Sequence, residues 1–158
     1  MTTPRIRMVP LDRFLISELV ENERDPLISE MASGPEFEAR VMLAASYGNA
    51  YAVFSDGVPI AAGGLQLQWP GRAEAWGLFS RHIRRRHFVP LIQHVNAYLD
   101  RRQRDPSFRR IEMYVRVQPE WNAVTFAHAL GFLIEGEMPR WDPAGRTYLI
   151  CSRIREVC

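Results

Sequence analysis

The chain has 158 residues, 47% of them apolar, which suits a single domain spanning 1–158 that buries most of the apolar surface it would expose unfolded. No apolar run is long enough to span a bilayer, and Met1 to Val9 lacks the basic-then-hydrophobic pattern of a secretory leader, so the expected compartment is the cytoplasm. The net charge of +2 hides an asymmetry: residues 1–49 carry five Arg against eight acids, whereas residues 81–110 carry nine Arg against Asp100 and Asp105, a surplus that implies either an anionic partner or a solvated basic face.

The first strand is expected at Ile6 to Val9. Asp12 then caps a helix whose apolar positions Leu11, Phe14, Leu15 and Leu19 follow helical spacing. The acidic run Glu21 to Glu30, broken by Pro26, reads as a loop or irregular helix. Ser33-Gly34-Pro35-Glu36 has the form of a capping box, opening a helix that buries Phe37, Val41 and Ala44. From Ala50 the period changes to two. Tyr51 to Ser55 and Val58 to Gln68 flank Asp56-Gly57, a pair that accepts positive φ and so predicts a hairpin. Pro70-Gly71 marks another turn, followed by a third antiparallel strand, Ala73 to Ser80.

Phe88, Leu91, Ile92, Val95 and Leu99 predict a long helix to about Arg102, with Pro90 in its first turn. Ile111 to Val117 alternates as a half-buried strand. A helix from about Trp121 to Leu130 stops at Gly131, and strands Phe132 to Met138 and Thr147 to Ile154 flank the turn Asp142 to Gly145. The predicted class is α+β: a mixed, mostly antiparallel sheet flanked by helices, in the order βααβββαβαββ.

Asn122, Ala123, Leu130-Gly131-Phe132 and Glu135-Gly136, within that element order, resemble the closing motif of the GCN5-related N-acetyltransferases. The resemblance covers nearly the whole chain and is best from Ala50 to Ile154. Ala73-Glu74-Ala75-Trp76 and the His87-Phe88 pair also resemble acyltransferase-like proteins of tailed phages. The family implies acetyl-CoA as acyl donor and an amine acceptor on a small molecule or protein. It also implies a diphosphate loop between the fourth strand and the long helix, where bare glycines admit the phosphates to backbone amides. Here that stretch runs Arg84-Arg85-Arg86-His87-Phe88-Val89, with His87 and Val89 standing where glycines belong. Arg81, Arg84, Arg85 and Arg86 offer guanidinium contacts in their place. Leu78, Phe79 and Ser80 are implied as backbone partners of the coenzyme's arm, with Asn122 as a further contact. Gly77 is read as a bulge turning the amides of Leu78 and Phe79 toward the ligand, or as simple close packing.

The family's usual proton-donating Tyr is replaced by Ala127, leaving His128 or Tyr114 as substitutes. A protonated amine must lose its proton before it attacks, and Glu74 is the first candidate base, with Glu112 second. For each carboxylate the plain alternative is a surface or rim acid, and for His128 a structural role. His82, His87 and His94 lack metal-ligand spacing, the two cysteines form neither a disulfide framework nor a zinc motif, and no nucleophile elbow is present. Three functions remain: an acyl-CoA-dependent N-acyltransferase, a catalytically degenerate protein of that fold with a phage structural or host-interaction role, and a nucleic-acid or phosphate-binding module in which Phe88, Tyr98 and Phe108 interleave the arginines. No membrane partner is expected, and a homodimer is left open.

Overall fold

The computed structural model describes residues 2–118 and 123–156. Its elements are β1 (Ile6–Pro10), α1 (Arg13–Glu21), α2 (Pro26–Ala32), α3 (Pro35–Ser46), β2 (Ala50–Ser55), β3 (Val58–Trp69), β4 (Arg72–Phe79), α4 (Arg85–Arg102), β5 (Arg110–Arg116), α5 (Ala123–Ala129), β6 (Leu133–Met138) and β7 (Tyr148–Ile154). The strands form one seven-stranded sheet in the order β1-β2-β3-β4-β5-β7-β6. The chain divides into two compact units, Met1–Gln66 with Trp76–His94 and Leu67–Ala75 with Val95–Cys158.

In the first unit, Asp12 caps α1 by accepting the Leu15 amide at 2.8 Å, a contact that typically contributes about 1 kcal/mol. The helix turns Ile16, Leu19 and Val20 inward, while Phe14 is 86% exposed and lies outside the core expected for it. The acidic stretch contains a regular helix, α2, because Asp25 accepts the Leu27 amide and Pro26 stands at the first helical position, where no amide donor is required. Three helices therefore precede β2, not two. Ser33 does not open α3; its hydroxyl donates to the Glu30 carbonyl and closes α2, and Gly34 is the N-cap of α3 with no side-chain bond. The Asp56-Gly57 hairpin forms as read, with φ of 51° and 86°. Leu11, Ile16, Leu19, Val41, Ala50, Ala52, Ala62 and Leu78 are among the buried residues that form the core of this unit.

In the second unit, β4 and β5 run parallel over Arg72↔Arg110, Ala73↔Ile111 and Glu74↔Glu112, while β5–β7 and β7–β6 are antiparallel. Helix α5 ends in a Schellman arrangement: Gly131 takes φ 79°, its amide donates to His128 O, and Phe132 N reaches Ala127 O at 3.0 Å. Ala127 and Phe132, the residues this closure brings together, are each 1% exposed. Gln103, buried, donates its amide to the carbonyls of Phe108, Arg109 and Arg153. Helix α4 begins one turn earlier than its apolar period suggested, which places Pro90 sixth in the helix and deprives the Arg86 carbonyl of its helical donor.

Candidate active site

The candidate residues fall into two groups, each complete within one unit. In the first unit the chain leaving β4 is pinned by Ser80 and Ile83. The fully buried Ser80 gives its amide to Ile60 O at 3.0 Å and accepts the His82 amide at its hydroxyl, while Ile83 donates back to Ser80 O. Arg81, Arg84, Arg85 and Arg86 project from this turn and are all exposed. Arg84 Nη1 donates to the carbonyls of Arg81 and Ile83, and Arg81 binds Asn22 Oδ1 through Nε and Nη2 at 3.0 and 2.8 Å. Among the described residues no carboxylate pairs with any of the four. Their positive charge is left standing at the start of an 18-residue helix.

His87 is 3% exposed, and its Nδ1 accepts the Arg84 amide at 2.9 Å, so the imidazole caps the helix start from its third position. Burial, followed by the adjacent Arg86 charge, lowers its pKa and keeps it neutral at pH 7. With Nδ1 an acceptor, Nε2 carries the proton; the 3.3 Å approach of Arg86 Nε to Nε2 is then a donor facing a donor, not a hydrogen bond. The ring thus uses an amide that a glycine would have left open. Val89 is 66% exposed and Phe88 half-buried, so neither fills that place.

Leu78 belongs to the core. Because the Ser80 amide points to β3, the amide and carbonyl of Phe79 point to the opposite edge of β4. Both are engaged: Phe79 N donates to Glu23 Oε2 at 2.7 Å, and Phe79 O accepts the Arg24 amide at 3.0 Å. Glu23 had no role in the sequence reading. Gly77 shares that edge and is exposed. Its φ is not positive, and a Cβ there would meet only ordinary contacts at 3.6 to 3.8 Å. Close packing therefore does not explain this glycine, in contrast to Gly64, where a Cβ would lie 2.3 Å from Asn49 O.

The second unit gathers Arg72, Glu74, Glu112 and Tyr114 on one face of the β4–β5 pair, as the register requires. Glu112 is buried between two guanidinium groups, with Arg72 Nε and Nη2 on Oε2 at 2.9 and 2.5 Å and Arg110 Nε on Oε1 at 2.6 Å. Hydrogen bonds from Arg72 lead the effects that hold its pKa low, which suits an anchor and makes it a poor base. Arg110 also grips Glu135 bidentately, and Glu135 accepts Ser152 Oγ at 2.6 Å, extending the chain of charges onto β6 and β7.

Tyr114 stacks on Trp141 with ring centroids 5.2 Å apart. Burial first, then the nearby Glu74 charge, raises the pKa of its phenol, so it holds its proton at neutral pH. Trp69 lies 4.4 Å from the Arg72 guanidinium. His128 is exposed on α5, one position round from buried Ala127. Asn122 lies outside the described residues. Tyr98 and Phe108 are in the core and so provide no stacking platform for bases. Cys151 is buried, which raises its thiol pKa. Among the described residues no group of acids, His and Cys could hold a metal, and no helix is long and apolar enough to cross a membrane.

No protein-family model and no curated protein matches the sequence. Solved structures do match the fold. The alpha-N-protein acetyltransferase RimL in complex with coenzyme A superposes with a TM-score of 0.71 at 16% identity, over 97% of this chain and 95% of its own. Ard1 from Thermoplasma volcanium gives 0.69 at 15%, over 97% and 98%. A spermidine N-acetyltransferase chimera from Vibrio cholerae and hSSAT gives 0.69 at 15%, over 94% and 95%. The fold is that of the GCN5-related N-acetyltransferases, a mixed, mostly antiparallel seven-stranded sheet flanked by five helices.

Proposed function

We propose that this protein is an acyl-CoA-dependent N-acyltransferase, with acetyl-CoA as donor and an amine of a small molecule or protein as acceptor. The observation that carries the reading is Gly77, an exposed mid-strand glycine that neither backbone conformation nor packing demands, followed within the next turn by four guanidinium groups that pair with no carboxylate among the described residues. A bare strand edge accepts the amide-bearing arm of a coenzyme, and unneutralised guanidinium groups accept its phosphates. The fold neighbour that holds coenzyme A supports the same choice of ligand.

In the proposed reaction Glu74 takes the proton from the acceptor's ammonium, directly or through water. The amine nitrogen attacks the thioester carbonyl, the carbon–sulfur bond breaks, the thiolate leaves with a proton from Tyr114, and the second proton shed by the new amide nitrogen restores the phenol. Glu112 holds Arg72, and through it the face from which Glu74 and Tyr114 act. The test is release of free thiol from acetyl-CoA across a panel of amines, comparing the parent with Glu74→Gln. Turnover in the parent that falls at least a hundredfold in the variant, with coenzyme binding retained, is the expected result.

A second reading has its own observation. His87 occupies the helix-start amide, and Ala127 stands where a proton-donating Tyr would be, which fits a protein that binds the coenzyme without transferring its acyl group. Calorimetric binding of acetyl-CoA with no thiol released from any amine would select it.

A further inference from the structure

The segment Asn22–Arg24, which links α1 to α2, lies beside the end of β4, joined to it by a single antiparallel bridge between Glu23 and Ser80. Its bonds are specific. Glu23 Oε2 accepts Phe79 N, Arg24 N donates to Phe79 O, Arg81 N donates to Asn22 O at 2.8 Å, and the Arg81 guanidinium grips Asn22 Oδ1 twice. Glu23 Oε1 is fixed in turn by the Asp25 amide at 3.2 Å. A carboxylate side chain and a neighbouring backbone amide thus satisfy the two outward groups of one strand residue, as a bound peptide would.

We infer that this segment is a built-in clasp, competing with the acyl-CoA arm for the amide and carbonyl of Phe79 and with its phosphates for Arg81. The inference rests on the acyl-CoA reading above and adds a regulatory step to it. An extended arm with its own amides can pair with Phe79 only after Arg24 and Glu23 have let go, so the competent form is a fraction of the free protein and the apparent affinity is reduced by that fraction. Arg81 ties the two events together. A phosphate that draws its guanidinium away removes two of the bonds holding Asn22.

Two measurements on the full chain test this. In calorimetric titrations with coenzyme A, Glu23→Ala and, independently, Asn22→Ala are expected to bind about tenfold tighter than the parent, because each removes clasp bonds. Hydrogen exchange supplies a readout that does not depend on either variant folding. In the parent the Arg24 amide is expected to exchange about tenfold faster once coenzyme is saturating, while the Phe79 amide stays protected by its new partner. Equal affinity in parent and variants, or an Arg24 amide that is as protected with coenzyme bound as without it, overturns the clasp and leaves the acyl-CoA reading intact. Absence of coenzyme binding by parent and variants alike overturns the acyl-CoA reading and the competition together.

Discussion

Arginine builds both the turn after β4 in the first unit and the β4–β5 face of the second, but its charge is treated in opposite ways. On the β4–β5 face Arg72 and Arg110 close onto Glu112 and Glu135, positive against negative, in a chain that reaches Ser152. After β4 the side chains of Arg81 and Arg84 donate to an amide oxygen and two carbonyls, none of which offsets the charge. The first arrangement neutralises charge within the sheet; the second leaves a cationic surface. Local charge count alone does not separate the two, because Arg110 belongs to the same basic stretch as Arg81.

The sharpest way to break the paired side is Glu112→Ala. It would leave Arg72 and Arg110, each partly buried, without their shared acceptor, and a loss of about 3 kcal/mol in denaturant unfolding is expected. Glu112→Gln should cost less, since one oxygen still accepts. A loss below about 0.5 kcal/mol for the alanine variant would place Glu112 among ordinary surface acids.

Much of the fold was legible because local chemistry and long-range packing agree. Asp56-Gly57 can hold positive φ and sits between alternating runs, and Gly131 ends a helix at the junction that buries Ala127 and Phe132. The misreadings arise where a polar side chain, not an apolar period, sets the boundary. Asp25 starts α2 just before a proline that looked like a break, and His87 draws the start of α4 back into a run of arginines. Alternation alone gives the parity of Glu74 within β4 and of Tyr114 within β5, but only the β4–β5 register puts them on one face. Glu23 could not be placed even so far, because its partner Phe79 is 56 residues away and nothing in Asn22-Glu23-Arg24 has a period. Its one local hint is that Asp25-Pro26 fixes where the next helix begins, leaving Glu23 and Arg24, between that start and the C-cap of α1 at Asn22, in neither helix.

Gly77→Ala sharpens the unpaired side of the comparison. The added methyl meets only ordinary contacts, and Ala carries less unfolded-state entropy, so stability should stay the same or rise by up to about 1 kcal/mol. If the strand edge serves a ligand, coenzyme A affinity should nonetheless fall by about tenfold, read by calorimetry. A variant that is both as stable and as tightly bound would mean that this glycine has no part in the site.

The smallest effect is in pH dependence, where two carboxylates report on the two regions with opposite sign. Hydrogen bonds from Arg110 and then Ser152 hold Glu135 down to about 2, below its unfolded value of about 4.3. Its contribution is therefore present above that unfolded value and is lost as pH falls toward 2. Glu23 is shifted the other way: burial raises its pKa more than the Asp25 and Phe79 amides lower it. Its protonated form favours the fold, so that contribution is complete below the unfolded value and disappears as pH rises through the raised one. The melting temperature should then climb between pH 2 and 4.5 in the parent and climb less in Glu135→Gln. Glu23→Gln should gain on the parent above pH 5. Added salt should shrink the Glu135 limb, where both partners meet solvent, and leave the Glu23 limb, set by burial, nearly unchanged. Equal salt sensitivity of the two limbs would contradict the distinction between charge met by charge and charge met by backbone.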